Sequence, residues 1–427
     1  MDAARLHTHS LKNPRVLRIL GAALEAVDPY QAVQKHLPQL TGRVYGLGIG
    51  KASIPMLTAL AEAYPLSGAL AISKYASLPP PSLFPVLLGD HPVPGVGSLR
   101  AGERVLDFVS AVPEGDTLVC LLSGGGSALV TAPRPGITLE DMQVLTALLL
   151  ARGATINELN TLRRSLDRIK GGGLLRATKA RVVSLILSDV IGNPLETIAS
   201  GPTAPNSTTN ADALAILEKY VPAADTQSYR EATHAITQYL RGSQQVQAND
   251  FDASRVQNLI IGDNQLAAQA ALEQARREGF DVELLTNELQ GEAREVGVML
   301  ARRLRAELEH RSRPFCLIAG GETTVTLKGN GKGGRNQELA LAAVAELADT
   351  RDGMLIALAT DGDDGPTDAA GAVVTGGTRQ RGERLGLDAA DFLSRNDAYH
   401  YFDALGDLLK PGPTGTNVND LVFLVGL

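Results

Sequence analysis

The run TLVCLL (117–122) is apolar almost throughout and stops abruptly at Ser123-Gly124-Gly125-Gly126-Ser127. With no polar face, such a run reads as a strand covered on both sides, the environment of a parallel sheet. The construction recurs. RVYGLGIG (43–50) runs into Lys51, Val182–Leu187 stops at Ser188-Asp189, and NLIIG (258–262) stops at Asp263-Asn264. PFCLIAG (314–320) leads into a long glycine-rich stretch, and GMLIALAT (353–360) stops at Asp361-Gly362-Asp363-Asp364-Gly365. Helical periodicity follows most of these stops. A chain that alternates apolar strand, glycine-bearing turn and helix is confined to the α/β class, with mainly parallel sheets flanked by helices. Its turns gather along the carboxyl edges of the strands, where open α/β sheets bind ligands.

At 427 residues the chain exceeds one ordinary core. The soft segment RGSQQVQANDFDASR (241–255) sets the boundary, giving a Rossmann-like domain over 1–242 and a second α/β domain over 243–427. Two such domains with facing loop edges would enclose an active site in the interdomain cleft. A formal charge of −7 and the absence of Trp argue against a nucleic-acid partner, which needs a basic or base-stacking surface. Cys120 and Cys316 sit inside apolar runs and read as buried free thiols. No segment approaches the ~18 consecutive apolar residues of a membrane span. The N-terminal stretch lacks the apolar core of a signal peptide, so a cytoplasmic protein with no membrane partner is expected.

The glycine stops carry the chemistry. Gly48-Ile49-Gly50-Lys51 places a lysine where a helix begins; there it either reaches into solvent or answers an anion, because a cation is disfavoured at a helix N-terminus. The turn is not a phosphate-binding P-loop, since Ala52 stands where Ser or Thr is required. Ser53 occupies the third glycine position of a dinucleotide fingerprint. Ser123 through Ser127 offers two hydroxyls and several free amides. Arg163, Arg164, Arg168 and Lys170 read mostly as a solvated basic face. Asp189 and the Asp361 cluster are either turn caps or oxygen ligands suited to magnesium. His91, between Asp90 and Pro92, is a loop residue or a substrate contact, and nothing local decides between them.

Gly320–Leu347 concentrates these features. A half-buried strand is expected over Thr324–Leu327 from its alternation. Gly329, Gly331, Gly333 and Gly334 follow, with Lys328, Lys332 and Arg335 among them, and then a helix from about Asn336. Glycines permit close approach of a ligand, and a helix start favours an anion.

Seven ordered blocks resemble the class II glycerate kinases, whose C-terminal part is the MOFRL region, here about 314–420. They are GIGKAS, LLSGGGSAL, LNTLRRSLDRIKGG, SDVIGNPLETIASGPT, GGETTVTLKGNGKGGRNQE, TDGDDGPTDAAGA and PTGTNVND. Ser165, Asn193 and Gly95 depart from the family's pattern. The resemblance implies two α/β domains and transfer of the γ-phosphoryl of ATP to D-glycerate, generally at C2, with Mg2+ or another divalent cation. It matches the family's proposed catalytic lysine to Lys51 and its proposed catalytic arginine to Arg335. The remaining candidates for substrate or nucleotide binding are Gly48, Gly50, Ser123, Gly124, Gly125, Gly126, Ser127, Asn160, Arg163, Asn264, Glu322, Lys332, Asn336 and Asn417, with Asp189 and Asp361 for the metal. A hydroxypyruvate reductase and a non-catalytic sugar-acid sensor are the alternative readings. The sequence is compatible with a homodimer.

Overall fold

The computed structural model describes residues 3–76, 81–220, 227–243 and 251–427. Pro79 and Pro80 of the proline-rich loop, and residues 244–250 of the soft segment, lie outside these. The chain divides into two compact units, Pro29–Ile261 and a second made of Met1–Asp28 with Gly262–Leu427.

The Pro29–Ile261 unit is built on a six-stranded sheet in the order β3-β2-β1-β4-β5-β6. The strands are β1 (Val44–Ile49), β2 (Leu66–Ser73), β3 (Val86–Leu88), β4 (Thr117–Leu122), β5 (Arg181–Leu187) and β6 (Val256–Gly262). Neighbours from β3 through β5 are parallel. This is the order of doubly wound nucleotide-binding sheets, and the sense of winding reverses between β1 and β4. The expected two-sided burial of β4 is observed. Leu118, Cys120 and Leu122 enter one core with the helix Val96–Ser110, while Val119 and Leu121 enter another with the helix Ser53–Ala63. Because β1 and β4 are adjacent, Lys51 and Ser123–Ser127 leave the sheet side by side.

The second unit carries the sheet β11-β10-β9-β12-β8-β7. Its strands are β7 (Asp281–Leu289), β8 (Phe315–Gly321), β9 (Gly353–Ala359), β10 (Gly371–Thr375), β11 (Leu408–Leu409) and β12 (Asp420–Gly426). The α/β class holds here too, but this sheet is mixed: β7–β8 is parallel and the other pairs are antiparallel. The reason is connectivity. The chain turns from β9 into β10 through a loop with no crossover helix, and antiparallel pairing needs none. Leu421, Phe423 and Val425 of β12 face one core, and Val422 and Leu424 face the other.

The N-terminal helix Pro14–Ala26 has Pro at its first turn and Asn13 as cap, whose side chain accepts from Arg15 N–H. Its apolar face (Val16, Ile19, Leu20, Ala23) is buried against the helix Asn264–Arg277 in the second unit's core. The first 28 residues therefore belong with the C-terminal unit, across the boundary at 242/243 read from the sequence. Cys120 and Cys316 are buried free thiols. Among the described residues no helix is long and apolar enough to cross a membrane.

Leu20 is fully buried in this core, so Leu20→Ala should cost about 2–5 kcal/mol. Urea denaturation of the full chain measures it; a loss below about 1 kcal/mol would contradict the packing of this helix.

Candidate active site

The Lys51 turn and the serine–glycine loop are joined by their backbones. Lys51 N–H donates to Gly124 O at 2.9 Å, and Ala52 N–H donates to Ser123 Oγ at 3.0 Å. Gly50 has φ +131, and a Cβ there would lie 2.2 Å from Ser123 Oγ, so only glycine lets the two turns meet. Ser53, at the fingerprint's third position, donates its hydroxyl to Ile72 O at 2.8 Å and crowds Gly48. It is therefore a structural tie to β2.

Two features of this half-site point to an anion. The half-buried Lys51 makes no ion pair with a carboxylate among the described residues. The N–H groups of Gly124 and Gly125 donate to no protein acceptor among them either. Unshared amides at a partly buried turn are uncommon, because an unmet donor costs about 1–3 kcal/mol. Behind the loop, Ser127 Oγ and Ser200 Oγ are 2.7 Å apart, and Ser200 Oγ donates to Asn160 Oδ1 at 3.4 Å. Ser200 and its neighbour Ala199 both have positive φ, +60 and +50, a conformation costly for residues with a Cβ. Sequence reasoning missed Ser200; a serine before a glycine in IASGPT carries no signal of its φ. It left His91 undecided, and the structure places that ring beside Gly125.

The basic face expected along 163–170 is mostly interior. Only Arg168 is exposed. Arg164 is buried and donates to Glu196 O at 3.0 Å, while Lys170 is buried against Asp167 at 2.6 Å and Val130 O at 2.9 Å. Arg163 is half-buried, and burial pulls its guanidinium below its ordinary value. Asp189 follows β5 and is half-buried.

In the second unit the candidates collect at the ends of β8, β9 and β12. The strand expected over Thr324–Leu327 does not form. One isolated bridge joins Thr324 to Glu292, and Leu327 is 76% exposed. Alternation with no neighbouring strand to receive it leaves extended loop. That loop is pinned from the other side. Lys328 and Gly329 N–H donate to Asn396 Oδ1 at 2.7 and 3.0 Å, Gly331 N–H to Arg395 O at 3.0 Å, and Lys332 N–H to Asp397 Oδ1 at 3.0 Å. The Lys332 ammonium lies 4.1 Å over the Tyr399 ring.

The helix Arg335–Leu347 does receive an anion at its start, but an internal one. Asp364 accepts from Asn336 N–H at 3.1 Å and Gln337 N–H at 2.9 Å. A Cβ at Gly334 would lie 2.3 Å from Asp364 Cγ, so glycine admits the carboxylate. The loop therefore serves to position Arg335. Its Nε donates to Asp420 Oδ2 at 2.5 Å, its Nη2 to Oδ1 at 3.2 Å, and its Nη1 pairs with Glu322. Burial opposes the charge on Arg335, but Asp420 and Glu322 outweigh it and raise its proton affinity. Burial pushes Asp364 up to about 6 and Asp420 to about 7, against the opposing pull of their hydrogen bonds and of Arg335.

Asn264 donates to Val418 O at 3.0 Å and Asp420 O at 2.9 Å, which fixes the loop before β12. Its Oδ1 has no partner among the described residues and faces Gly320. Asn417 Oδ1 accepts from Asn419 N–H at 3.3 Å. Asp361 is half-buried and accepts from Asp363 N–H at 3.2 Å. Among the described residues no three His, Cys, Asp or Glu side chains gather as a metal cage.

The linkage of Asp364 has a definite sign. Its folded value lies above the ordinary 3.8, so its contribution is present below that pH and is lost as pH rises through about 6. The stability difference between wild type and Asp364→Asn should thus shift against the wild type by up to ~3 kcal/mol from pH 4 to 7. Paired denaturation curves at each pH measure it, and a flat difference would refute the burial argument.

Similar proteins share both parts. Residues 15–236 match a family described as a domain of unknown function (DUF4147), and residues 315–420 match the MOFRL family. The chain is 38% identical to a glycerate 2-kinase of Pyrococcus horikoshii, covering 96% of each. It is 40% identical to a D-glycerate 2-kinase of Thermotoga maritima, covering 95% of this chain and 96% of that one. A crystal structure of a glycerate kinase from Thermotoga maritima superimposes with a TM-score of 0.87, covering 96% of this chain and 98% of that chain at 40% identity. With glycine-bounded loops described in each unit and likeness extending over nearly its whole length, the chain belongs to the glycerate 2-kinase family that carries the MOFRL region.

Proposed function

We propose that the protein transfers the γ-phosphoryl of ATP to the C2 hydroxyl of D-glycerate, giving 2-phosphoglycerate. The observation that carries this reading is the Lys51 half-site, in which a cation without an ion pair and two unshared amides border one glycine loop. Phosphoryl transfer needs such groups because catalysis is largely positioning and neutralisation of charge on the transferring oxygens. The substrate hydroxyl oxygen forms its bond to the γ-phosphorus as the bond to the β-phosphate oxygen breaks, ADP leaves with that electron pair, and the hydroxyl proton is released to solvent. Lys51 and Arg335 stabilise the charge in transit. Arg335 is pre-aimed by Asp420, and the more exposed Glu322 is the partner that an incoming phosphate can replace.

A divalent cation accompanying ATP would neutralise its phosphates. Asp189 or Asp361 would hold it. Magnesium characteristically takes one or two protein carboxylates and completes its shell with water and phosphate, and each of these half-buried aspartates offers one carboxylate.

A coupled ADP-release assay with D-glycerate, followed by identification of the phosphorylated carbon, tests the reading. Lys51→Ala should lower kcat by about 10²–10³-fold with a stability change within about 0.5 kcal/mol. Arg335→Ala would also strand the buried Asp420 carboxylate, at a cost of about 3–5 kcal/mol. Arg335→Lys is the cleaner variant: it keeps the charge, loses the paired geometry, and should lower kcat comparably to Lys51→Ala. Near-normal turnover in either lysine-site or arginine-site variant removes that residue from the mechanism. Steady NADH oxidation with hydroxypyruvate, without ADP release, would favour the reductase instead.

A further inference from the structure

We propose that the His91 imidazole is a ligand-contacting group of the Lys51 half-site, closing with Lys51 and the Gly124 and Gly125 amides around one anionic group and taking up a proton as that group binds. The inference rests on the reading of that half-site as an anion seat and adds to it a residue and a proton.

Geometry places the ring there. A Cβ on Gly125 would lie 3.2 Å from His91 Cδ2, 3.4 Å from its Nε2 and 3.5 Å from Lys51 Cγ. Gly125 has φ +83, so the ring edge and the lysine stem both border space that a side chain would fill. Neither ring nitrogen has a hydrogen-bond partner among the described residues, although the ring is half-buried. A structural histidine in such a position would ordinarily satisfy at least one nitrogen.

The surrounding charges say what binding would do. Burial first, then Lys51 from the β1 turn and Lys74 after β2, hold the imidazole down to about 4, so it is neutral near pH 7. Asp90, its chain neighbour, turns its carboxylate to accept from Ser98 N–H at 3.1 Å. An anion seated against Lys51 offsets the two ammonium fields and offers the ring an acceptor. Both effects favour the imidazolium, so anion binding and protonation of His91 reinforce one another.

Two sources supply such an anion, the carboxylate of the acid and a phosphate of the nucleotide, and the experiment separates them. The full chain, labelled with 15N-histidine, is observed at pH 6 with D-glycerate alone, metal-free ATP alone, and inorganic phosphate alone, His91 being assigned from its absence in His91→Gln. The expected result is that either D-glycerate or ATP moves the His91 ring nitrogens toward the protonated form, and that Lys51→Met abolishes the movement. His91→Gln and His91→Ala should each bind that ligand about tenfold more weakly, a difference of 1.4 kcal/mol, with wild-type melting behaviour. If none of the three ligands moves the ring, or if both variants bind with wild-type affinity, the inference is overturned. A wild-type protein that releases no ADP with D-glycerate while phosphate still protonates His91 would refute the kinase reading and leave this one standing.

Discussion

Among the carboxylates buried in the C-terminal unit, Asp364 and Asp420 lie at the edge where the candidate residues collect, and that edge is arranged to keep them there. A buried carboxylate without partners costs several kcal/mol. Asp364 is met by two amides of a helix start, which a glycine opens to it. Asp420 is met by the fork of Arg335. Removing either carboxylate would free the helix start or the arginine. Removing the glycine would shut the first carboxylate out. The long glycine stretch, the helix and the arginine are thus parts of one electrostatic arrangement.

The two candidate cations are held in contrasting ways. Lys51 is fixed through its backbone, while its ammonium has no carboxylate partner among the described residues. Arg335 is fixed through its side chain, by Asp420 on one edge and Glu322 on the other. An ammonium kept without an ion pair gains most when an anion arrives. A guanidinium already oriented loses little conformational freedom when one does.

Much of this was legible in the sequence. Apolar runs such as TLVCLL announced β4 and β9, because a strand covered on both faces needs no alternation to be recognised. The glycine stops marked the loops, and motif likeness singled out Lys51 and Arg335. What failed to show depended on partners distant in the chain. Thr324–Leu327 alternates like a strand but has no ladder to join. Arg164 and Lys170 look like surface charge until the carbonyls of Glu196 and Val130 are placed beside them. Asp364 reads as one of several aspartates in a loop, and only the fold reveals it as the anion of a helix that begins near residue 335. The antiparallel pairing of the second sheet was equally hidden, since it is set by how the chain returns and not by the composition of any strand.

The position of β12 has a consequence for the order in which the molecule is made. This strand lies between β9 and β8, buried along its length, and Asp420 is its first residue. During synthesis it emerges after every other strand of its sheet, so neither that sheet nor the seat of Arg335 can close until residues 420–426 have left the ribosome. The helix Pro14–Ala26 is made before the Pro29–Ile261 unit, yet the core it joins is completed only after that unit. The nascent chain must therefore carry an amphipathic helix with an uncovered apolar face while the whole Pro29–Ile261 unit is translated and can fold. Apolar surface left uncovered in such an interval favours association between chains.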